Sequence, residues 1–579
     1  MNSKISNKKD IIYSVCLAVI VFAVFSISIH YQFLESFDDN GHVLHNRYLT
    51  FSFTSITYWL THACVGCYMP LTMLSYIFDY SLWGLNSFGF HLQNIFWHIV
   101  ATIAIYSCFR LFKIKSWIAF FLCLIFAVHP QRVESVVWIS ERKDVLCAAF
   151  YFLSIFFYIK NNNKKFNITA FILFILAILS KPMAISLPVV LVLYEFYIYG
   201  KSRGQRAERT EIRGQRAEVG DQITAKKNTN PDRRDTRRMS ETCNVQATVI
   251  RYAPRTSIKS TKIIRLICLI RGLKKLFPYF LILFIFIPIS IIAQSNAGAV
   301  HSNNFILSFN RLYILLYNIY WYSAQTLFCF ENSPMYHPHV ITFYSILEIF
   351  LFYIGAATIL VTVFIKNKRL FLFILLPLAL AYLITLLPVI GLIKLGPTDH
   401  ADRYSYIPSV FIWFSIGLII NWCFVNKSKS LSKIWSSLFF KHKFVFVLLS
   451  CYTIILIFLN IQYQRFWKNN YTLFYYANTY YHVNAHILIS LADMELAKKN
   501  YGRVLELTRD LNNDKKWKLI ADFYKVSILF NENREQSLKP LLQLKALFKK
   551  NLTRKIFVAK YIKINEMLAS FPGYRNLIL

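Results

Sequence analysis

Ile11-Ile-Tyr-Ser-Val-Cys-Leu-Ala-Val-Ile-Val-Phe-Ala-Val-Phe-Ser-Ile-Ser-Ile-His30 contains no Asp, Glu, Lys or Arg, and shortly after it comes Phe37-Asp38-Asp39-Asn40-Gly41. A helix crosses a bilayer with roughly 20 predominantly apolar residues, so the first stretch reads as a span. Lys4, Lys8 and Lys9 precede it, as in a cleavable leader, but it outruns a leader's apolar core and has no clear small-residue cleavage site. It reads as a retained anchor. Two adjacent carboxylates where the chain leaves the membrane can serve as a general base or a metal ligand. The same residues would equally make a polar turn, because Asp, Asn and Gly favour turns.

The rest of the chain repeats the first pattern. Its 579 residues are 56% hydrophobic and 17% aromatic, with the apolar residues gathered into runs, which describes an all-α polytopic membrane protein. Further spans are expected at about 90–112, 116–129, 145–160, 166–180, 183–199, 276–293, 341–365, 369–391, 405–424 and 443–461, giving eleven. The net charge of +36 fits Lys and Arg concentrated in cytoplasmic loops and calls for no nucleic-acid partner. With eleven spans, the basic stretches at Lys113–Lys115, Lys160–Lys165, Lys201–Lys275, Lys366–Arg369 and Lys427–Lys443 fall on one side, together with the N-terminus. That side is the cytoplasm. The segments 32–89, 129–144, 180–182, 294–340, 392–404 and everything after 461 then lie outside, with a cell inner membrane as the expected location.

Residues 305–330 are apolar enough to make a twelfth span, but counting it would turn two basic loops outward, so a helix lying at the membrane surface is preferred. Four regions follow. Residues 1–200 form an N-terminal membrane module with a first outer loop at 32–89, and 276–465 form a second membrane module. Between them, 201–275 repeats Arg203-Gly-Gln-Arg-Ala-Glu208 as Arg213-Gly-Gln-Arg-Ala-Glu218, is strongly basic and is poor in large apolar residues. Such composition cannot offset the entropy of ordering, so a disordered loop is expected. Residues 466–579 carry short amphipathic helical patterns, degenerate at the period of a 34-residue helical repeat. Of the eleven cysteines only Cys64 and Cys67 have metal-like spacing, and no second pair completes a site.

The outer segments hold the unusual polar residues. His129-Pro-Gln-Arg-Val-Glu134-Ser-Val-Val-Trp138-Ile-Ser-Glu141-Arg142-Lys143-Asp144 is heavily charged for a connector between two spans. On one helix Glu134, Trp138 and Glu141 or Arg142 would share a face. Arg and Lys beside acids can clamp a phosphate while the acids orient them, or the charges can simply neutralise one another. Lys181 and Asp402-Arg403-Tyr404 place further cations, an acid and phenols on the same side.

Phe37-Asp-Asp-Asn40, His91-Leu-Gln-Asn-Ile-Phe-Trp-His98, His129-Pro130 through Asp144, Leu179-Ser-Lys-Pro-Met183 and Ala401-Asp-Arg-Tyr-Ser-Tyr-Ile-Pro408 resemble, in this order, the signatures of the transmembrane and tetratricopeptide-repeat O-mannosyltransferase-like proteins. These belong to the GT-C glycosyltransferase class. The resemblance covers about 30–470, interrupted by 201–275. It implies an inverting transferase that takes a sugar, such as mannose, from a polyprenyl-phosphate carrier on the non-cytoplasmic face and passes it to a protein or glycan hydroxyl. It makes Asp38 or Asp39 the catalytic group, assigns the donor phosphate to Arg142, Lys143, Lys181 and Arg403, and gives His129, Glu134, Trp138, Glu141, Asp402 and Tyr404 supporting places. Some members of the class use a divalent metal and others do not, so the cofactor stays open. The last region is shorter than the solenoid common in the family. The rivals are a transporter or flippase of lipid-linked saccharides and a non-catalytic anchor displaying a helical domain.

Overall fold

The computed structural model describes residues 8–161, 166–198, 257–296, 309–334, 336, 341–391, 400–425, 442–481, 485–513, 517–552 and 555–571. Of the loop expected to be disordered at 201–275, residues 201–256 lie outside the described residues, while 257–275 belong to a helix, Ser257–Asn296, and so depart from that expectation. The outer connections at 297–308 and 392–399 also lie outside the described residues.

Among the described residues the elements are helical, apart from one isolated bridge between Cys64 and Cys67. The helices of the membrane part are α1 (Lys8–Phe25), α2 (Phe53–Thr61), α3 (Pro70–Trp83), α4 (Ser87–Leu111), α5 (Ser116–Val128), α6 (Arg132–Val137), α7 (Arg142–Lys160), α8 (Ile168–Ser180), α9 (Pro182–Ile198), α10 (Ser257–Asn296), α11 (Phe309–Phe328), α12 (Phe343–Lys366), α13 (Phe371–Val389), α14 (Pro408–Val425) and α15 (His442–Gln464). Each of the eleven expected spans falls on one of these. Among the described residues six stretches are long and apolar enough to cross a membrane: Lys8–His30, Ser87–Leu111, Gly272–Asn296, Phe343–Lys366, Phe371–Val389 and Lys443–Lys468. The protein is a multi-pass membrane protein. Phe277, Phe284, Phe350, Ile365, Ile454 and Phe458 stand exposed on these helices, as side chains facing lipid must.

Helices α1, α4, α5, α7 and α8 pack as a bundle, and α14 and α15 close against α5. At one end Asp10 accepts from Tyr106 and from Arg110 Nε, both at 2.7 Å, pinning α1 to α4. Lower in the bundle His98 Nδ1 meets the Tyr406 hydroxyl at 2.5 Å while Nε2 lies 3.0 Å from the Ala127 carbonyl oxygen, which ties α4, α5 and α14 together. His98 is therefore a strut. The loop 32–89 is fastened to the bundle, since Tyr76 on α3 donates to the Ile139 carbonyl at 2.8 Å and Thr72 donates to that of Ser180 at 2.9 Å.

Helix α11 covers the stretch 305–330 expected as a surface helix, and it is not among the six stretches apolar enough to cross a membrane. Its polar residues Asn318, Gln325 and Thr326 are buried beside Trp321 and Tyr322, and it packs against α12 and α14. Asn318 donates to the Ile390 carbonyl at 2.9 Å.

Among the described residues beyond α15 six helices follow: α16 (Asn470–Tyr481), α17 (Ala485–Ala497), α18 (Tyr501–Asn513), α19 (Lys518–Glu532), α20 (Arg534–Lys549) and α21 (Lys555–Ala569). Each packs on the next around a core of its own that includes Ile520, Phe523, Leu541 and Phe548. Phe37 joins this core to the membrane part. Its ring stacks on Phe474 at 5.4 Å and meets Trp138 edge-on at 5.4 Å, and the Gln32 N–H donates to the Lys468 carbonyl at 3.0 Å.

A candidate active site at the mouth of the bundle

The charged connector 129–144 is entirely buried, and so are the residues on either side of it from Phe121 to Ala149. Buried charge is costly unless paired, and the pairing organises the site. The segment does not run as one helix. Helix α6 ends at Trp138, whose backbone is extended, a short 3₁₀ turn covers Ile139–Glu141, and α7 starts at Arg142. This break sets Glu134 and Glu141 on different elements, yet both reach the same cation. Arg403 pairs with Glu134 through its guanidinium, donates its backbone N–H to Glu134 at 2.8 Å, and holds Nε 3.5 Å from Glu141.

Arg142 and Lys143, adjacent at the start of α7, point apart. Arg142 is fully buried and saturated: it pairs with Asp79 of α3, donates Nε to Asn94 at 2.8 Å and Nη2 to the Phe90 carbonyl at 2.7 Å, and lies over the Tyr76 ring. It pins the outer loop to α4 and stands apart from the other three cations. Lys143 turns to the mouth, where Nζ is 2.9 Å from Glu141 and 3.9 Å from Asp38. Lys181 pairs with Asp144 and sits 3.6 Å from the second Glu141 oxygen. Glu141 is thus a hub for Lys143, Lys181 and Arg403. Burial alone would raise its carboxyl, but these three cations together hold it well below the usual carboxylate range. Glu141 and Asp38 in turn keep the Lys143 ammonium firmly protonated against its burial. Trp138 lies under Lys143 and Arg403, with ring-to-cation distances of 5.9 and 5.6 Å, and Tyr404 lies under Arg403 at 4.8 Å and Lys181 at 5.8 Å. Both aromatic faces hold cations in place.

The two aspartates are not equivalent. Asp39 is 1% exposed, and both its oxygens are used: Oδ2 accepts from the Leu34 N–H at 2.8 Å, and Oδ1 accepts from the Ser140 N–H at 2.9 Å and the Ser140 hydroxyl at 2.5 Å. Burial pushes its carboxyl up to about 6, against those hydrogen bonds. Asp38 is 37% exposed and touches only the edge of the Lys143 ammonium. Lys143, Lys181 and Arg403 leave 11%, 11% and 20% of their side chains exposed, and the Asp38 carboxylate lies beside the first of them.

The supporting residues lie behind this row. Asp402 accepts from the Tyr336 hydroxyl at 3.1 Å, and burial, with Glu134 beside it, raises its carboxyl well above the usual range. His129 is buried and accepts the Gln131 N–H at 3.2 Å through Nδ1, shaping the turn into α6. Four contributors escape sequence reading. Arg132 is buried over the Phe126 and Tyr406 rings with Nη2 2.5 Å from Ser405 Oγ, and Ser140, Asp79 and Asn94 act only through partners remote in sequence. Arg132 stood in the same charged connector; the others carry no signal until the fold supplies their partners.

A metal would find few ligands here. Glu134, Glu141 and Asp144 are each taken by a cation, and among the described residues no group of three or more His, Cys, Asp and Glu is placed to hold an ion.

Comparison with known proteins gives a consistent neighbourhood. Protein O-mannosyl-transferase TMTC1 of Mus musculus is 36% identical over 92 residues, covering 16% of this chain and 10% of the mouse protein. Protein O-mannosyl-transferase TMTC2 of Homo sapiens is 34% identical over 94 residues. The chain is similar to the TMTC group of O-mannosyltransferases. Protein O-mannosyl-transferase F38B6.6 of Caenorhabditis elegans matches at 29% identity over 140 residues, 24% of this chain. The matches cover between 10% and 20% of these three relatives' lengths. No family model and no solved structure matches the chain. The likeness to the TMTC proteins agrees with the resemblance carried by the Asp38-Asp39, HP-to-RKD and ADRY-type stretches.

Proposed function

We propose that this protein is a GT-C-type glycosyltransferase that moves a sugar, mannose by the names of its relatives, from a polyprenyl-phosphate carrier to a hydroxyl of a protein Ser or Thr. The observation that carries the proposal is the partly exposed Asp38 carboxylate beside Lys143, one of three cations gathered on Glu141. Sugar transfer from a lipid phosphate needs a base at the attacking hydroxyl and positive charge at the departing phosphate. Asp38 takes the acceptor proton as the oxygen attacks the anomeric carbon. The bond from that carbon to the phosphate oxygen breaks on the opposite face, which inverts the centre, and the lipid phosphate leaves with its charge against Lys143, Lys181 and Arg403.

Glu141 has a positioning role: it gathers three cations around one carboxylate, so that none must reorganise as charge develops. Asp39 fixes the loop that carries Asp38, and Arg142 fixes the element that carries Lys143. The site opens to the non-cytoplasmic side, as the basic loops require, with the N-terminus in the cytoplasm of a cell with an inner membrane of this kind. The helices after Gln464 then form a TPR-like domain beside the mouth, where Phe37 couples them to the Asp38 loop, and they present the acceptor. The basic stretch 201–275 belongs to the cytoplasmic side and takes no part.

The test is to incubate purified protein in vesicles with a radiolabelled polyprenyl-phosphate sugar and an acceptor peptide containing Ser and Thr. Label in the peptide supports transfer. Label that crosses the vesicle still on lipid marks a transporter and sinks the enzyme reading.

A further inference from the structure

The turn Cys64-Val65-Gly66-Cys67 in the first outer loop has a geometry that the transfer reaction does not use. The Cys64 N–H donates to the Cys67 carbonyl at 2.9 Å and the Cys67 N–H donates to the Cys64 carbonyl at 2.8 Å, closing a two-residue hairpin turn. Val65 and Gly66 both have positive φ, +46° and +76°. Such a turn favours Asn or Gly, and a β-branched residue at its first position is a marked outlier. Some constraint beyond two backbone hydrogen bonds must hold Val65 there. The two residues of a doubly hydrogen-bonded antiparallel pair lie with Cα atoms about 5.5 Å apart, inside the separation of roughly 4.4–6.8 Å that a disulfide spans.

We propose that Cys64 and Cys67 are joined by a disulfide in the working protein, and that this bond clamps the turn against the loop carrying Asp38. The turn touches that loop at one place. Cys64 Sγ lies 3.8 Å from the Gly41 carbonyl, and a Cβ on Gly41 would stand 3.1 Å from the Val65 side chain. Both thiols are unbonded here and largely shielded from solvent. Burial pushes the Cys64 thiol up to about 12 and raises that of Cys67. The bond therefore forms before the loop is packed. In the forming step one thiolate attacks a disulfide-bearing oxidant to give a mixed disulfide. The second thiolate then displaces the oxidant, which leaves as a dithiol carrying the two electrons and the two protons that the cysteines gave up. This rests on the outward placement of 32–89 in the proposed function, because disulfides persist on the oxidising side of a membrane.

The test reads thiol state and not sugar transfer. Full-length protein in its native membrane is denatured in acid with a light maleimide, reduced, and labelled with a heavy one before peptide mass spectrometry. Cys64 and Cys67 are expected to carry only the heavy label, and in Cys64→Ser the remaining Cys67 should switch to the light label. Light label on both cysteines of the unaltered protein overturns the disulfide, and heavy label on Cys67 in Cys64→Ser overturns the intramolecular pairing. A parallel Glu35→Cys variant, at an exposed position of the same loop, is probed in sealed, right-side-out vesicles with a membrane-impermeant maleimide. Light-labelled thiols with Cys at 35 reached from outside refute the bond alone; with it unreached, they refute the outward placement as well.

Discussion

Replacing Asp39 by Ala and Asp38 by Asn should separate stability from activity. Asp39 accepts from two buried backbone N–H groups, of Leu34 and Ser140, and from a hydroxyl that can rotate away. Each stranded N–H costs about 1–3 kcal/mol, so Asp39→Ala is expected to lose roughly 2–6 kcal/mol. That is a large part of the stability of an ordinary domain, and the loop from Leu34 to Leu44 should detach from the Ile139–Glu141 turn. Asp38 accepts no hydrogen bond from a buried donor and is more than a third exposed. Asp38→Asn should change stability by less than about 0.5 kcal/mol, while loss of a general base lowers transfer by roughly 10²–10⁴-fold. The assay is a thermal shift of the detergent-solubilised protein beside the radiolabelled transfer reaction. A stable Asp39→Ala protein, or an Asp38→Asn protein with undiminished transfer, would refute the division of labour drawn from the geometry.

Other outcomes can be checked alongside. Asp79→Ala should strand the buried Arg142 guanidinium at a cost of about 3–5 kcal/mol and lower the yield of monodisperse protein, which size-exclusion chromatography would show. Lys143→Met and Lys181→Met should each raise the KM for the lipid-phosphate donor while the protein still folds; unchanged donor kinetics in both would remove the cations from the reaction. Asp39 also predicts a pH effect, because its carboxyl sits near 6 in the fold, above the unfolded value of about 3.9. A raised carboxyl favours folding most when protonated, so its contribution is full below pH ~4 and is lost as pH rises through 6. The melting temperature should fall across that window, and a rise would contradict the sign. Deleting 205–255 should leave folding and transfer nearly unchanged.

The membrane character of the chain was legible because twenty apolar residues in a row admit few other fates. Each expected span has its helix, including the short ones at Ser116–Val128 and Ile168–Ser180. The side-chain cluster was legible in outline for a related reason: charge is expensive at a bilayer, so Glu134, Glu141, Lys143, Lys181 and Arg403 stood out against an apolar background. Periodicity misled where the backbone departs from one helix. Glu134 and Glu141 meet at Arg403 because the chain breaks at Trp138, and Arg142 turns away from the site for the same reason.

Composition and hydropathy alone thus determined an all-α, many-spanning protein with its charged residues gathered in a few loops, since the bilayer penalises each misplaced polar group separately. Only the tertiary structure decided between the adjacent aspartates. Asp38 and Asp39 are identical in type and one residue apart, and what distinguishes them is a partner, Ser140, a hundred residues further along the chain. Hydrogen bonding across such a distance consumes one carboxylate and leaves the other partly exposed beside Lys143.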